Sequence, residues 1–445
     1  MHNRVLIAGT NSGCGKTTVT CAVLSALKAR GLQVSAFKCG PDYIDPMFHR
    51  EAIGVSAHNL DPFFCSGDQL CRMLVTHGGD ISVIEGVMGY YDGVGPDGAY
   101  SAYTVARETA SPVVLVVNVA GMFQSAGAVL HGYRTFRPDS GIRGVIFNGA
   151  SEMLYPRLKE IAQNAGVIPL GYLPREESLS VGSRHLGLIT AGEIDDIRER
   201  LDRLGELAQR CIDLDGLLAL AASAASLIQP PLPLEPASGT PRVRIAMAQD
   251  AAFCFLYQEN LELLRSLGCD LVPFSPLRDA ALPPDVSGLY LCGGYPELHT
   301  AELSANHSML ASIRSAVAAG MPTIAECGGF LYLHATLDGV PMANIFPAAA
   351  QQTERLQRFG YITMTAQRDT LLCRAGDSIR AHEFHYYDSA DAGDAFIAAK
   401  PDGRRPYACC HASSSLYAGF PHLYLYANPA FAENFVKRAV AYAAV

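Results

Sequence analysis

One glycine-rich turn, at residues 9–18, constrains the fold of this chain more than any other stretch. It follows an apolar run (residues 5–8) that predicts a buried strand, and it reads Gly9, Thr10, Asn11, Ser12, Gly13, Cys14, Gly15, Lys16, Thr17, Thr18. In such a turn backbone N–H groups surround phosphate oxygens, the lysine reaches the terminal phosphates, and a hydroxyl binds Mg²⁺. Apolar side chains at helical spacing over residues 17–30 place the turn at a helix N-terminus, which favours an anion. The stretch therefore predicts a nucleoside triphosphate site, with Thr10 where the usual pattern has its first glycine.

Composition limits the classes of partner. The chain has 445 residues, 49% of them hydrophobic, and this length suits about two to four domains. A net charge of −9 argues against nucleic acid or an anionic membrane as the main partner. The apolar runs are shorter than a membrane span, and the first residues lead into a strand rather than a signal peptide. The thirteen cysteines are scattered without a CxxC pair, as is typical of a reduced, cytoplasmic protein without structural zinc.

Polar residues gather at the ends of predicted strands in the first half. The strands lie at 32–38, 81–86, 112–117 and 144–148. The polar residues at or after their ends are Lys38, Asp42, Tyr43, Asp45, Glu85, Asp92 and Asn148. Strands that alternate with helices predict an α/β fold with a doubly wound parallel sheet, whose site lies along the carboxyl edge.

Four of these residues are acids, and like charges repel unless a cation offsets them. Beside a triphosphate that cation is Mg²⁺, which takes hard oxygen ligands. We expect Thr17, Asp42 and Glu85 to be its ligands. Lys38 is placed to neutralise phosphate, and the Asn148 amide suits a purine edge. The alternative for each residue is a cap, a turn or a solvated strand end.

A proline-rich segment divides the chain. Residues 195–227 carry a helical apolar pattern, and the prolines that follow cannot continue a helix or join a sheet interior. We predict a first domain at 1–229, a linker at 230–241 and a second α/β domain at 242–445.

The second half presents a cysteine in the setting of a nucleophile. An apolar strand over 322–326 delivers Cys327 into a pair of glycines that begin a helix. This is the arrangement of a nucleophile elbow, and we expect the helix N-terminus to lower the pKa of the thiol. Gly293, Gly294 and Gly328 offer backbone N–H groups for an oxyanion hole. The alternative is a buried structural cysteine.

A thiol nucleophile needs a base, which is usually a histidine. Three candidates lie late in the chain: His382, His385 and His422. The residues alone do not choose among them.

Six motifs occur in an order that resembles the cobyrinic acid a,c-diamide synthase family of cobalamin biosynthesis. They lie at residues 9–18, 37–45, 83–93, 293–298, 325–329 and 381–386. The first half also resembles dethiobiotin synthetase, and the second half is similar to class I glutamine amidotransferases. This resemblance extends over essentially the whole chain.

The resemblance implies a ligase that uses ATP, Mg²⁺ and glutamine to amidate two carboxylates of a corrinoid macrocycle, cobyrinic acid. Glutamine would be hydrolysed at Cys327 with His422 as base, and ammonia would travel by an internal passage to an acyl phosphate made with ATP. The acids that match family positions around Mg²⁺, the carboxylate and the intermediate are Asp42, Asp45, Glu85 and Asp92. The wider amidotransferase class has a glutamate two residues after the histidine. Tyr424 stands there in this chain, so the resemblance implies a Cys–His pair.

Other interpretations share part of this pattern. Cobyric acid synthase has a different loop where this chain has residues 39–42. Enzymes that act on hydrogenobyrinic acid or nickel-sirohydrochlorin share every motif and differ only in the ring. A P-loop scaffold with a vestigial glutaminase domain belongs to another functional class. The sequence leaves the oligomeric state open, with a homodimer as one option.

Overall fold

The apolar runs of the first half form one parallel sheet. In the computed structural model, which describes residues 2–175, 191–232 and 242–444 (for 191–196 the backbone alone), the chain divides into two units, Met1–Leu232 and Pro233–Val445. The strands of the first unit are β1 (Arg4–Gly9), β2 (Val34–Cys39), β3 (Ser56–Leu60), β4 (Ile81–Glu85), β5 (Val113–Asn118), β6 (Ile142–Asn148) and β7 (Ile168–Leu173). Their order is β3-β2-β4-β1-β5-β6-β7, with parallel pairing throughout. The strands β2 to β4 lie on one side of β1, and the strands β5 to β7 lie on the other side. Open α/β sheets bind ligands at the carboxyl ends of the strands where the order of strands changes side in this way.

Helices connect these strands. They are α1 (Lys16–Ala29), α2 (Ile44–Phe48), α3 (Gly67–His77), α4 (Ala102–Glu108), α5 (Ser125–Phe136), α6 (Tyr155–Asn164), α7 (Ala191–Cys211) and α8 (Leu214–Ala222), with a π-helical turn at His49–Ile53. The helical stretch predicted over 195–227 is therefore two helices. The helix α7 ends at Cys211, and Asp213 caps the start of α8, because its side chain accepts a hydrogen bond from the Gly216 N–H.

The second unit contains a central sheet and smaller sheets. Its strands are β8 (Val243–Ala248), β9 (Phe253–Phe255), β10 (Cys269–Phe274), β11 (Gly288–Leu291), β12 (Gly293–Gly294), β13 (Thr323–Glu326), β14 (His334–Leu337), β15 (Val340–Pro341), β16 (Phe346–Gln352), β17 (Arg358–Ala366), β18 (Ser378–His385), β19 (Tyr387–Ser389), β20 (Phe396–Ala399), β21 (Tyr407–Cys409), β22 (His411–Ala412), β23 (Leu416–Gly419) and β24 (His422–Leu423). The central order is β10-β8-β11-β13-β23-β22, and a five-stranded sheet has the order β21-β20-β17-β18-β24. The strands of the smaller sheets pair antiparallel, except for the parallel pair β14 and β16. The helices are α9 (Gln258–Ser266), α10 (Thr300–Ala305), α11 (His307–Ala318), α12 (Gly328–Tyr332) and α13 (Pro429–Ala443).

The predicted fold class, two α/β halves with a doubly wound parallel sheet in the first, is confirmed. The prediction missed β3 and β7, as well as the antiparallel strands of the second unit. Residues 233–241, most of the predicted linker, lie outside the described residues. Among the helices in the described ranges, none has the length and apolar character needed to span a membrane.

Candidate active site

The phosphate-loop motif connects β1 to α1. Gly15 precedes the helix with a φ of 96°, and a Cβ atom there would lie 2.1 Å from Asn148 Nδ2. Both the left-handed backbone and the close approach require glycine. The Asn148 amide donates to the carbonyl of Cys14 at 3.0 Å, so Asn148 at the end of β6 holds the loop backbone. We predicted that this amide reads a purine edge. The amide nitrogen is used by the loop in the structure, and recognition of a purine stays a prediction.

Lys16 is the first residue of α1. Its ammonium donates to the carbonyls of Asn11 (3.2 Å) and Met88, which belong to the loop and to the segment after β4. Burial lowers the pKa of Lys16. A lysine held at the helix N-terminus in this way is placed to reach phosphate oxygens.

Glu85 stands at the centre of the acidic site. Its Oε1 atom accepts hydrogen bonds from Thr17 Oγ1 at 2.7 Å and from Lys38 Nζ at 2.9 Å. Lys38 also pairs with Asp45 at 2.5 Å. Four residues predicted from three separate motifs thus meet at the carboxyl ends of β2 and β4.

The charges of Lys38 and of the neighbouring carboxylates shift one another's pKa values. Burial opposes the charge on Lys38, but Asp45 and Glu85 outweigh it and raise the pKa of the ammonium. Burial, followed by the Asp45 charge, raises the pKa of Asp42 to about 6, and burial also raises that of Glu85. A cation bound among these carboxylates would relieve both effects.

The donor atoms fit Mg²⁺. Thr17 and Glu85 present hard oxygens that already lie within 2.7 Å of each other. The second Glu85 oxygen, Oε2, is buried and accepts no hydrogen bond from the described residues. Asp42 Oδ1 accepts hydrogen bonds from the N–H groups of Ile44 (2.9 Å) and Asp45 (3.0 Å), which fixes this carboxylate next to Asp45. Two carboxylates and a hydroxyl are the ligand type that Mg²⁺ takes beside phosphates.

Two predicted residues lie at the edge of this site. Asp92 accepts a hydrogen bond from the Gly89 N–H at 3.0 Å and so shapes the loop after β4. That loop touches the phosphate loop, because the Tyr90 N–H donates to the Gly9 carbonyl. Tyr43 directly precedes α2.

His49 belongs to this site as well, although it was not predicted from the sequence. It lies in the π-helical turn, is buried, and places Nε2 at 3.5 Å from Glu85 Oε2. Its position four residues after Asp45, at helical spacing, is a signal that could have drawn attention to it.

Cys327 occupies a strained turn between β13 and α12. Its φ of 46° and ψ of −102° are unusual for a residue with a side chain. The Cys327 N–H donates to the Gly419 carbonyl at 2.8 Å, which ties the turn to β23. A Cβ atom at Gly329 would lie 2.2 Å from the Leu291 carbonyl, so the glycine lets the turn approach β11. These features match the predicted nucleophile elbow.

The expected lowering of the thiol pKa was wrong. Burial raises the pKa of Cys327 well above its usual range, and the Glu297 carboxyl raises it further. The Gly328 N–H bonds to Cys327 and lowers its pKa, but the desolvation is larger. Reaction at this sulfur therefore requires a base that removes the proton as the bond forms.

The three candidate histidines have different surroundings. His385 is stacked on Phe420, with ring centroids 4.0 Å apart, and its Nδ1 bonds to the Tyr387 carbonyl at 2.6 Å. His382 in β18 faces His422 in β24 as a registered pair. Burial lowers the pKa of both His382 and His422 to about 3, so both rings are neutral.

His422 lies beside the predicted oxyanion glycines. A Cβ atom at Gly293 would lie 2.4 Å from His422 Cε1, and one at Gly328 would lie 2.9 Å from the Gly294 nitrogen. The three glycines, the histidine and the elbow of Cys327 are thus brought together. A thiol, a neutral imidazole and adjacent backbone N–H groups suffice for acyl transfer.

Comparisons with known proteins match both halves of the chain. Residues 5–188 match the CobQ/CobB/MinD/ParA nucleotide binding domain, and residues 244–429 match the CobB/CobQ-like glutamine amidotransferase domain. The cobyrinate a,c-diamide synthase of Listeria monocytogenes serotype 4b (strain F2365) is 39% identical over 442 residues, which cover 96% of this chain and 97% of the relative. The chain belongs to the cobyrinate a,c-diamide synthase family.

Members of this family from distant organisms show the same extent of similarity. The cobyrinate a,c-diamide synthase of Methanothermobacter thermautotrophicus is 38% identical, with coverage of 98% of this chain and 99% of the relative. That of Dehalococcoides mccartyi (strain CBDB1) is 37% identical, with coverage of 98% and 97%. The resemblance inferred from the six motifs is confirmed.

Proposed function

We propose that this protein amidates the a and c carboxylates of cobyrinic acid, with ATP as activator and glutamine as nitrogen donor. The observation that carries the proposal is similarity along nearly the whole chain to relatives with this name, three of which are 37–39% identical to it. Both sites described above support it, because one suits phosphoryl transfer and the other suits glutamine hydrolysis.

The first unit activates the carboxylate. A substrate carboxylate oxygen attacks the γ-phosphorus of ATP, the bond to the ADP oxygen breaks, and an acyl phosphate forms. Lys16 and Lys38 stabilise the negative charge on the transferring group. Thr17, Asp42 and Glu85 would hold Mg²⁺, which when bound neutralises phosphate charge. Ammonia then attacks the acyl carbon and phosphate leaves, so that each amide formed consumes one ATP.

The second unit supplies the ammonia. The Cys327 sulfur attacks the side-chain carbonyl of glutamine while His422 removes the thiol proton and passes it to the departing ammonia. The backbone N–H groups of Gly293, Gly294 and Gly328 stabilise the oxyanion. Water then hydrolyses the thioester and releases glutamate. A neutral His422 is the form required at the start.

Mass spectrometry of cobyrinic acid incubated with the protein, ATP, Mg²⁺ and glutamine tests the proposal. We expect two successive ATP-dependent conversions of acid to amide, which NMR would assign to the a and c side chains. Conversion of hydrogenobyrinic acid or nickel-sirohydrochlorin instead would keep every residue role and change the ring. Failure with all three rings would favour a scaffold and refute the proposal. A homodimer and a cytoplasmic location stay predictions, and light scattering tests the first.

A further inference from the structure

The position two residues after His422 is not an acid. Tyr424 is fully buried there and packs edge-on against Tyr257, with ring centroids 4.9 Å apart. A base in a thiol–imidazole pair must nevertheless be held in place, because small displacements of a catalytic group cost large factors in rate. The strand that carries His422, β24, has only two residues.

Two buried side chains hold the backbone directly after His422. Glu326 Oε1 accepts a hydrogen bond from the Leu423 N–H at 3.2 Å. Asn260 Nδ2 donates to the Leu423 carbonyl at 2.8 Å, and Asn260 Oδ1 accepts from the Leu425 N–H at 2.8 Å. Both polar groups of Leu423 are thus bonded to side chains from β13 and α9.

A tyrosine joins the two side chains. The Tyr290 hydroxyl donates to Glu326 Oε2 at 3.2 Å, and the Asn260 amide bonds to the same hydroxyl. Glu326, Asn260 and Tyr290 are each at most 2% exposed. Loss of one member would leave a partner buried without a hydrogen bond, so the group is stable only when complete.

Glu326 also belongs to the nucleophile turn. It is the last residue of β13, directly before Cys327, and it is paired in register with Gly419 of β23. One side chain therefore connects the backbone beside the nucleophile to the backbone beside the base. Burial raises the pKa of Glu326 to about 8, so the group acts at neutral pH mainly as an uncharged acceptor.

We propose that Glu326 and Asn260 are positioning residues of the glutaminase reaction, which hold His422 at Cys327 through the backbone of Leu423. They act in place of a carboxylate two residues after the histidine. This proposal rests on the proposed function, since it concerns the glutamine-dependent step.

Substitutions at Glu326 separate this role from a general effect on stability. Glu326→Met removes the acceptor and keeps the length, and we expect kcat for glutamine hydrolysis to fall by about 10- to 100-fold while KM changes little. Ammonia-dependent amidation in the same protein should stay within about twofold of wild type. Glu326→Gln keeps an oxygen for the Leu423 N–H and should restore most of the rate. Thr323→Val, on the same strand, is a matched control because its buried hydroxyl bonds to the Met321 carbonyl instead.

The possible results give distinct conclusions. A wild-type protein that turns over neither glutamine nor ammonia would refute the proposed function. With an active wild type, the positioning role is refuted if Glu326→Met keeps its glutaminase kcat, if both nitrogen sources fail together, or if Glu326→Gln is as slow as Glu326→Met. Should Glu326→Met not fold, Asn260→Ala removes both the donor to Leu423 and the acceptor for Leu425. A wild-type glutaminase kcat in that variant would equally overturn the proposal.

Discussion

Substitution of Gly293 by alanine should slow glutamine hydrolysis, because the added methyl group would collide with the His422 ring. A Cβ atom at this position would lie 2.4 Å from Cε1 of His422 and 3.1 Å from its Nδ1. Ordinary van der Waals contacts begin at 3.4 Å, so the imidazole must move away by about 1 Å. A displacement of that size costs about 10²-fold in rate, or about 2.7 kcal/mol in the barrier. The backbone N–H of residue 293 is kept, so an oxyanion contact is not deleted.

The assay compares two nitrogen sources in one protein. Glutamate release measures the glutaminase, and amidation with ammonium salts measures the synthetase without it. We expect Gly293→Ala to lower the first by about 10²-fold and to leave the second within about twofold. Gly132→Ala in α5, where an added Cβ meets nothing within 4 Å, is the control. Near-normal glutamine turnover in Gly293→Ala, or equal loss with both sources, would refute the role assigned to His422.

Three further predictions concern the same two sites. Cys327→Ser should abolish glutamine-dependent turnover and leave ammonia-dependent amidation largely intact; loss of both in a folded variant contradicts two separate sites. Lys16→Ala should lose amidation with either nitrogen source, because carboxylate activation precedes both, and surviving ammonia-dependent amidation would sink this idea. Burial lowers the pKa of His422 from 6.5 to about 3, so the base stays neutral as the pH falls below 6.5. The kcat/KM of the glutaminase should therefore show no acid limb near pH 6.5 down to about pH 5, and a limb with that midpoint would contradict the assignment.

The local motifs were predictable because their chemistry is local. A strand, a glycine-rich turn and a lysine at a helix start specify the phosphate loop within residues 5–30. The elbow at Cys327 is equally local, since a strand followed by two glycines permits few backbone paths. The strands β3 and β7, which were not predicted, have no such local sequence signal. Three of the five residues of β3 (Ser56–Leu60) are polar, so this strand lacks an apolar run. The β7 sequence is largely apolar, but Pro169 and Gly171 interrupt it, and both residue types are uncommon inside strands.

The misjudged pKa of the Cys327 thiol and the site contacts that the sequence did not reveal depend on long-range packing. The pKa of Cys327 depends on how deeply other elements cover it, and a helix N-terminus seen in the sequence gives no measure of that burial. The amide of Asn148 is held at a loop more than a hundred residues away in the chain. His49 reaches Glu85 only through the pairing of β2 with β4. Each contact is set by the assembled sheet rather than by neighbours in sequence.

At Cys327, the positive φ lowers the stability of the fold, while the side chain in that position provides the reactivity. A side chain in such a conformation costs about 1–3 kcal/mol that glycine would avoid. Selection for heat resistance alone would therefore favour glycine at position 327, and it would remove the sulfur that makes the second unit an enzyme. Libraries screened only for thermal tolerance should accumulate that substitution, whereas selection for glutamine-dependent amidation should purge it. A residue poorly suited to its backbone is kept there by its chemistry.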